Sequence, residues 1–166
     1  ISHEAGRYRI VDNLALIDGN YLVLNDAGEH SFQINGAAIS EKDLIRLDDT
    51  DGNMLCQTST HLTRTTNVLT LVDRFGSTAG RVQRHPISPL RDRFSIEMDG
   101  EPVIFTEGDV STLEFCAVGT IGAVAEISRR WFRARNSYGV AIAPDQRDAV
   151  LLTGIIAIVQ MARGTS

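Results

Sequence analysis

The residues best equipped for recognition chemistry lie together near the end of the chain. Arg129, Arg130, Arg133 and Arg135 surround Trp131 and Phe132. Guanidinium groups offer forked hydrogen bonds to phosphate or carboxylate oxygens, and an indole settles readily at a membrane–water boundary. The combination suits an anionic lipid headgroup, with the rings dipping into the interface. The competing reading is a solvated turn whose Trp131 packs over its own domain. Arg81, Arg84, Arg91 and Arg93 form a second, weaker basic region.

Other candidates carry less chemistry. Asp48, Asp49 and Asp51 precede Gly52, but a calcium loop of the EF-hand kind needs an oxygen ligand at every second position and a closing Glu. Leu47 and the missing Glu break that spacing, so a tight turn between strands is the better account. Gly76-Ser77-Thr78-Ala79-Gly80-Arg81 lacks the Gly-Lys-Ser/Thr ending and following helix of a phosphate loop. His3, His30, His61 and His85 are scattered, and no serine sits in a nucleophile elbow. Cys56 and Cys116 lie far apart, outside any metal-ligand spacing, and read as two buried free thiols. Glu114 and Glu126, next to apolar strand residues, read as outward-facing members of alternating strands. No catalytic set, metal site or cofactor motif emerges.

The elements that must position these residues are almost all strands. Tyr8 and Ile10 alternate with Arg7 and Arg9, Phe94, Ile96 and Met98 alternate with polar neighbours, and Tyr138, Val140 and Ile142 repeat the period. Each such segment has one wet and one buried face. Turn residues punctuate them at Asp18-Gly19-Asn20, Asn25 to Gly28, Asn35-Gly36, Asp51-Gly52-Asn53, Asp99-Gly100 and Gly108-Asp109. Asn-Gly and Asp-Gly supply the positive φ that hairpin turns require. Strands are expected near 7–11, 13–17, 20–24, 30–34, 42–48, 53–59, 67–73, 79–84, 93–98, 102–106, 112–117, 121–128 and 137–142. Pro86 and Pro89 mark an irregular connection. The segments Ser31 to Gly52 and Met54 to Gly76 share a loose hairpin rhythm that falls short of a repeat.

The last segment breaks the pattern. After Pro144 and the acidic Asp145 and Asp148, residues Ala149 to Ala162 run apolar almost without interruption. A helix so apolar on all sides cannot lie on a surface and must be enclosed. A bilayer crossing needs roughly twenty such residues, more than this run supplies. The expected architecture is therefore mainly β: an antiparallel barrel of about twelve strands, spanning about 7–142, closed around a central helix at about 145–163. One domain covers 1–166.

Composition agrees with a globular protein, 43% hydrophobic and 22% charged. A net charge of −5 opposes non-specific nucleic-acid binding, which needs surplus cations against phosphates. Lys42 is the only lysine, a bias that points to a high-GC, bacterial genome. Residues 1–6 show neither a signal nor a transit pattern, so a cytoplasmic protein, free or at a membrane surface, is expected.

Several stretches resemble the LURP-one-related branch of the Tubby-like and phospholipid-scramblase superfamily. They are Asp18-Gly19-Asn20-Tyr21 with Leu22 to Leu24, Phe32 to Gly36, Leu47 to Leu55, and Gly122 to Phe132 followed by Asn136 to Val140. The resemblance implies a twelve-stranded barrel around a C-terminal helix. Where the family helix often carries a late acidic residue, this chain has Gln160. Tubby proteins bind phosphoinositide headgroups at a basic patch, so the resemblance implies a non-enzymatic binding module with its analogue at Arg129, Arg130, Trp131, Arg133 and Arg135. Its ligand would be a phosphoinositide or other anionic lipid headgroup, or a protein partner. An enzyme with a site at a barrel mouth and a carrier of a small apolar ligand are the alternatives. Scramblase activity is not implied, since an enclosed helix cannot also span a bilayer.

Overall fold

The computed structural model describes residues 6–12, 21–35, 45–59, 67–88, 91–131, 137–144 and 146–163. They form strands β1 (Gly6–Asp12), β2 (Tyr21–Asn25), β3 (His30–Asn35), β4 (Arg46–Asp48), β5 (Met54–Thr58) and β6 (Val68–Asp73). These are followed by β7 (Thr78–Ser88), β8 (Arg91–Met98), β9 (Ile104–Asp109), β10 (Glu114–Gly119), β11 (Gly122–Ser128), β12 (Ser137–Ile142) and helix α1 (Asp148–Arg163). Every strand pairs antiparallel with the next, and β1 pairs with β12 to close a barrel. Closure removes the free edges that an open sheet would leave for aggregation.

The expected strand at 13–17 lies outside the described residues. The strand expected at 42–48 is described from Arg46 onward. At Pro86 the structure departs from the expected break, because β7 continues to Ser88 and the register with β8 shifts between Pro86 and Ser88. A bulge is where a strand tolerates a residue with no N–H to donate.

Helix α1 fills the barrel. Leu151, Leu152, Ile155 and Ile158 are fully buried, and they meet Ile10, Val23, Ile34, Leu47, Leu71, Val82 and Ile96 in one core. α1 lies off-centre, nearest β4 to β8. Gly154 permits that approach: a Cβ there would stand 3.1 Å from Ile96 Cδ1. Glycine lowers helix propensity by about 1 kcal/mol relative to alanine, and the close packing against β8 uses the space it leaves.

Three hairpins share one turn. The side-chain Oδ1 of Asn25 accepts from Ala27 N and Glu29 N, that of Asp49 from Asp51 N and Asn53 N, and that of Asp73 from Phe75 N and Ser77 N, all at 2.9–3.0 Å. Gly28, Gly52 and Gly76 follow with φ of 80°, 86° and 79°. A bulge lies beside each turn, after Val23, Leu47 and Leu71, all fully buried. The equivalent positions recur every 24 residues. The hairpin rhythm, too loose in sequence to count as a repeat, is thus a true repeat in structure. It is carried by turn and bulge positions that little else in the sequence echoes. Thr58 and Thr106, two periods apart, also act alike, since each buried hydroxyl accepts a backbone N–H at 3.0 Å, from Ile45 and Phe94 respectively.

Candidate functional site

Alternation of strand direction gives the barrel two unlike ends. Around the start of α1 lie the short turns after β2, β4, β6, β8 and β10. Around its finish the ends of β1, β3 and β5 are separated in sequence from the next strand by longer stretches, and the β7–β8 connection, the β9–β10 turn and the chain leaving β11 complete that rim. Each end grips the helix. At the start, the Tyr8 hydroxyl donates to Asp148 Oδ2 at 2.5 Å, and Arg147 Nη2 donates to Asp99 O at 3.2 Å. At the finish, Arg84 Nη2 donates to Met161 O at 2.5 Å. An acid in the first turn and a guanidinium at the last carbonyls both complement the helix dipole.

Arg129, Arg130 and Trp131 follow β11 at the rim where α1 finishes. Glu114 on β10 organises them. Its Oε1 accepts Arg129 N at 3.1 Å, and its Oε2 accepts the Ser128 hydroxyl at 2.8 Å. That hydroxyl in turn accepts Arg130 N at 3.1 Å. Arg130 Nε stands 3.7 Å from Glu114 Oε1, yet its side chain is 86% exposed. Such an ion pair in open solvent is weak and leaves the guanidinium available. Trp131 is 45% exposed. The structure thus brings Arg129, Arg130 and Trp131 together on a rim pinned by a half-buried carboxylate. Phe132, Arg133 and Arg135 lie outside the described residues.

In the second basic region the described side chains of Arg81, Arg84 and Arg93 have separate partners, and the side chain of Arg91 lies outside those described. Arg81 pairs with Glu97 at 3.0 Å on the outside of the barrel, and Arg93 lies 4.4 Å over the Phe105 ring. Arg84 shares strand parity with the buried Gly80 and Val82 and turns inward, where it holds Met161 O and stands 3.6 Å from Asp92. Arg84 is a helix anchor rather than part of a surface patch. Its parity with Val82 was the available signal. His85 Nε2 lies 2.8 Å from Ser95 Oγ beside Phe105; His3 and His61 lie outside the described residues.

Next to the helix finish opens a cleft of ≈ 660 Å³ lined by Asp92, Phe94, Gly108, Asp109, Val110, Ser111 and Ala162. The Asp109 and Ser111 side chains there are engaged in turn-making. Asp109 Oδ1 accepts both Ser111 N at 3.0 Å and the Ser111 hydroxyl at 2.6 Å, which hold its carboxyl below the usual range. The Ser111 hydroxyl therefore donates its hydrogen bond to a carboxylate already engaged by the backbone. Asp49, with its Asx-turn hydrogen bonds to Asn53 and Asp51, is likewise held low, as a turn and not a metal ligand set. Among the described residues, no group of three or more His, Cys, Asp or Glu is placed to hold a metal. Burial pushes the Cys56 thiol up to about 11. Cys116, expected to be buried, is only half-buried, on the same outward parity as Glu114; burial first, then Glu126 and Glu107, raise its thiol. Among the described residues, no helix is long and apolar enough to cross a membrane.

The sequence profile of the LURP-one-related family matches residues 10–160, almost the whole of the barrel and its helix. The chain belongs to the LURP-one-related family. Among solved structures, the X-ray structure of an Arabidopsis thaliana protein superposes with a TM-score of 0.66 at 13% identity, covering 93% of this chain and 89% of that one. At that identity the likeness concerns the fold, which this LURP-one-related chain shares as a closed antiparallel barrel around one helix. A search of curated proteins gives no match.

Proposed function

We propose that this LURP-one-related protein is a non-enzymatic binding module that docks on anionic membrane headgroups through the rim after β11, and so works as a peripheral membrane protein. The observation that supports the reading is that Arg129 and Arg130, both exposed, immediately precede the half-exposed Trp131 in the chain. Arg133 and Arg135 extend the same basic run in the sequence. Phosphate oxygens of a phosphoinositide or of another anionic lipid match forked guanidinium donors, and an indole beside them gains from the membrane interface. The barrel's interior is occupied by α1, which leaves rims and loops for recognition and disfavours carriage of an apolar ligand.

Liposome co-sedimentation tests the reading, using neutral vesicles and vesicles containing phosphatidylserine or phosphoinositide. Wild type is expected to pellet with the anionic vesicles and to be released by salt. The Arg129→Ala/Arg130→Ala/Arg133→Ala variant should lose roughly a hundredfold in affinity, at about 1 kcal/mol per basic residue near the surface. Wild type that stays in the supernatant with every lipid would sink the membrane reading.

A further inference from the structure

The opposite rim, around the start of α1, carries a separate feature. Phe75 in the β6–β7 turn is 77% exposed, Ile121 in the β10–β11 turn is 99% exposed, and Val103, just before β9, is also exposed. The turn does not require an aromatic ring. In the 24-residue repeat the position of Phe75 is filled by Ala27 and Asp51, and both make the same Asx turn with the same hydrogen bonds. The Arg74 guanidinium lies over the Phe75 ring, 4.8 Å from its centroid, and leaves most of it in solvent. Three large apolar side chains thus stand exposed on successive turn tips, and at Phe75 the turn itself does not call for one.

The barrel order β6-β7-β8-β9-β10-β11 sets the three turns side by side. With strands about 4.8 Å apart, neighbouring turns lie roughly 10 Å from each other and the row spans roughly 20 Å. Charge then selects the occupant. Asp73, Asp99 and Glu101 sit on or beside the first two turns, Asp49 and Asp51 on the next one round, with Arg74, Arg147 and Arg46, which reaches Gly52 O and pairs with Asp48, as the facing cations. A rim with surplus carboxylates is repelled by anionic lipid and attracts cationic chains.

We propose that the rim formed by the β6–β7, β8–β9 and β10–β11 turns is a docking surface for a basic segment of a protein partner that carries apolar residues between its cations. Phe75, Val103 and Ile121 supply the contact area, and the carboxylates beside them set the sign of the partner. The surface is independent of Arg129 and its neighbours, at the other end of the barrel, so one protein could bridge a membrane and a basic partner.

The test uses the full chain and fluorescence anisotropy with a labelled peptide alternating Arg with Val, next to Glu/Val and Arg/Ser counterparts. Wild type is expected to prefer the Arg/Val peptide and to release it as salt rises. Phe75→Ser/Ile121→Ser should weaken binding by roughly tenfold or more, the equivalent of losing the burial of one large apolar side chain. Asp99→Asn/Glu101→Gln should weaken it severalfold, and Arg129→Ala/Arg130→Ala/Arg133→Ala should leave it unchanged. All four rim positions are exposed, so both rim variants should melt with wild type. Equal affinity for Arg/Ser and Arg/Val peptides, or rim variants that bind like wild type, would overturn the proposal. So would self-association in sedimentation velocity that Phe75→Ser/Ile121→Ser abolishes, which would make a second copy the occupant. Loss of vesicle binding in that variant would assign the rim to membranes instead and equally overturn it.

Discussion

Where α1 begins, the chain reverses through short turns whose hydrogen bonds span at most a few residues: Asp49 to Asn53, Asp73 to Ser77. Where α1 finishes, the contacts that fix the rim reach across the sequence, from Arg84 to Met161 and from Glu114 to Ser128 and Arg129. The turns of the first end are determined locally, residue type by residue type, while its grip on the helix comes from Tyr8 and Asp99, far away in the sequence. The second has one locally made turn, at Asp109 and Ser111, but its helix grip and the chain after β11 are determined by which strands become neighbours. Local determination allows the turn tips to vary, as Ala27, Asp51 and Phe75 do at one equivalent position. Long-range determination ties the mouth to barrel closure, so a change there should be felt by the whole fold.

Two glycines make that contrast measurable. Gly52, in a turn near the start of α1, has φ of 86° with open space around a would-be Cβ. Gly108, near the helix finish, has φ of 108°, and a Cβ there would meet Glu114 O at 2.7 Å and Phe115 Cα at 2.9 Å, backbone atoms that cannot step aside. Gly108→Ala should therefore cost about 3–4 kcal/mol, combining left-handed strain with overpacking. Gly52→Ala should cost about 1 kcal/mol from strain alone. Urea denaturation of both variants decides it, and equal losses would break the distinction between the ends.

The helix anchors are worth less. Arg84→Met keeps the apolar stem but removes the charged donor to Met161 O, an expected loss of about 2 kcal/mol. Amide exchange should quicken in the last turn of α1 and stay slow at Leu151. Exchange that quickens uniformly along α1 would mean that Arg84 supports the barrel wall rather than the helix end.

At the other anchor, Tyr8→Phe removes a hydrogen bond to Asp148 for about 1 kcal/mol at neutral pH. Burial, then the hydrogen bond and negative charge of Asp148, hold the Tyr8 phenol above its ordinary value of 10.0. The native state thus keeps a proton that the unfolded chain gives up. That contribution is whole below about pH 10 and is lost as pH rises above it, because the unfolded state then binds fewer protons than the native one. Wild type should lose stability more steeply than Tyr8→Phe above that pH. Parallel curves would show that the phenol is not held by Asp148.

Much of the fold was legible in the sequence because it rests on short-range rules. The alternation of Phe94, Ile96 and Met98 and the unbroken apolar run from Ala149 identified strands and enclosed helix, and the number of strands with one helix left little but a barrel. The mouth was less legible. Arg84 was grouped with Arg81 and Arg93 by residue type, although its strand parity with Val82 turns it inward. Glu114 sits fourteen positions before Ser128, and only the β10–β11 register makes them neighbours. The repeat was hidden because it resides in where an Asx side chain and a bulge fall, with Asn, Asp and Asp doing one job at Asn25, Asp49 and Asp73.

The position of α1 in the chain also dictates an order of events during synthesis. The segment that fills the barrel leaves the ribosome after the twelve described strands. Until it arrives, those strands carry apolar faces with no interior to bury them against, and the ring cannot close on an empty centre. Until α1 emerges, the nascent barrel is therefore a sticky, unfinished sheet, the state in which chaperones are needed and aggregation competes. Barrel closure awaits α1, which acts as the mandrel around which the earlier strands wrap.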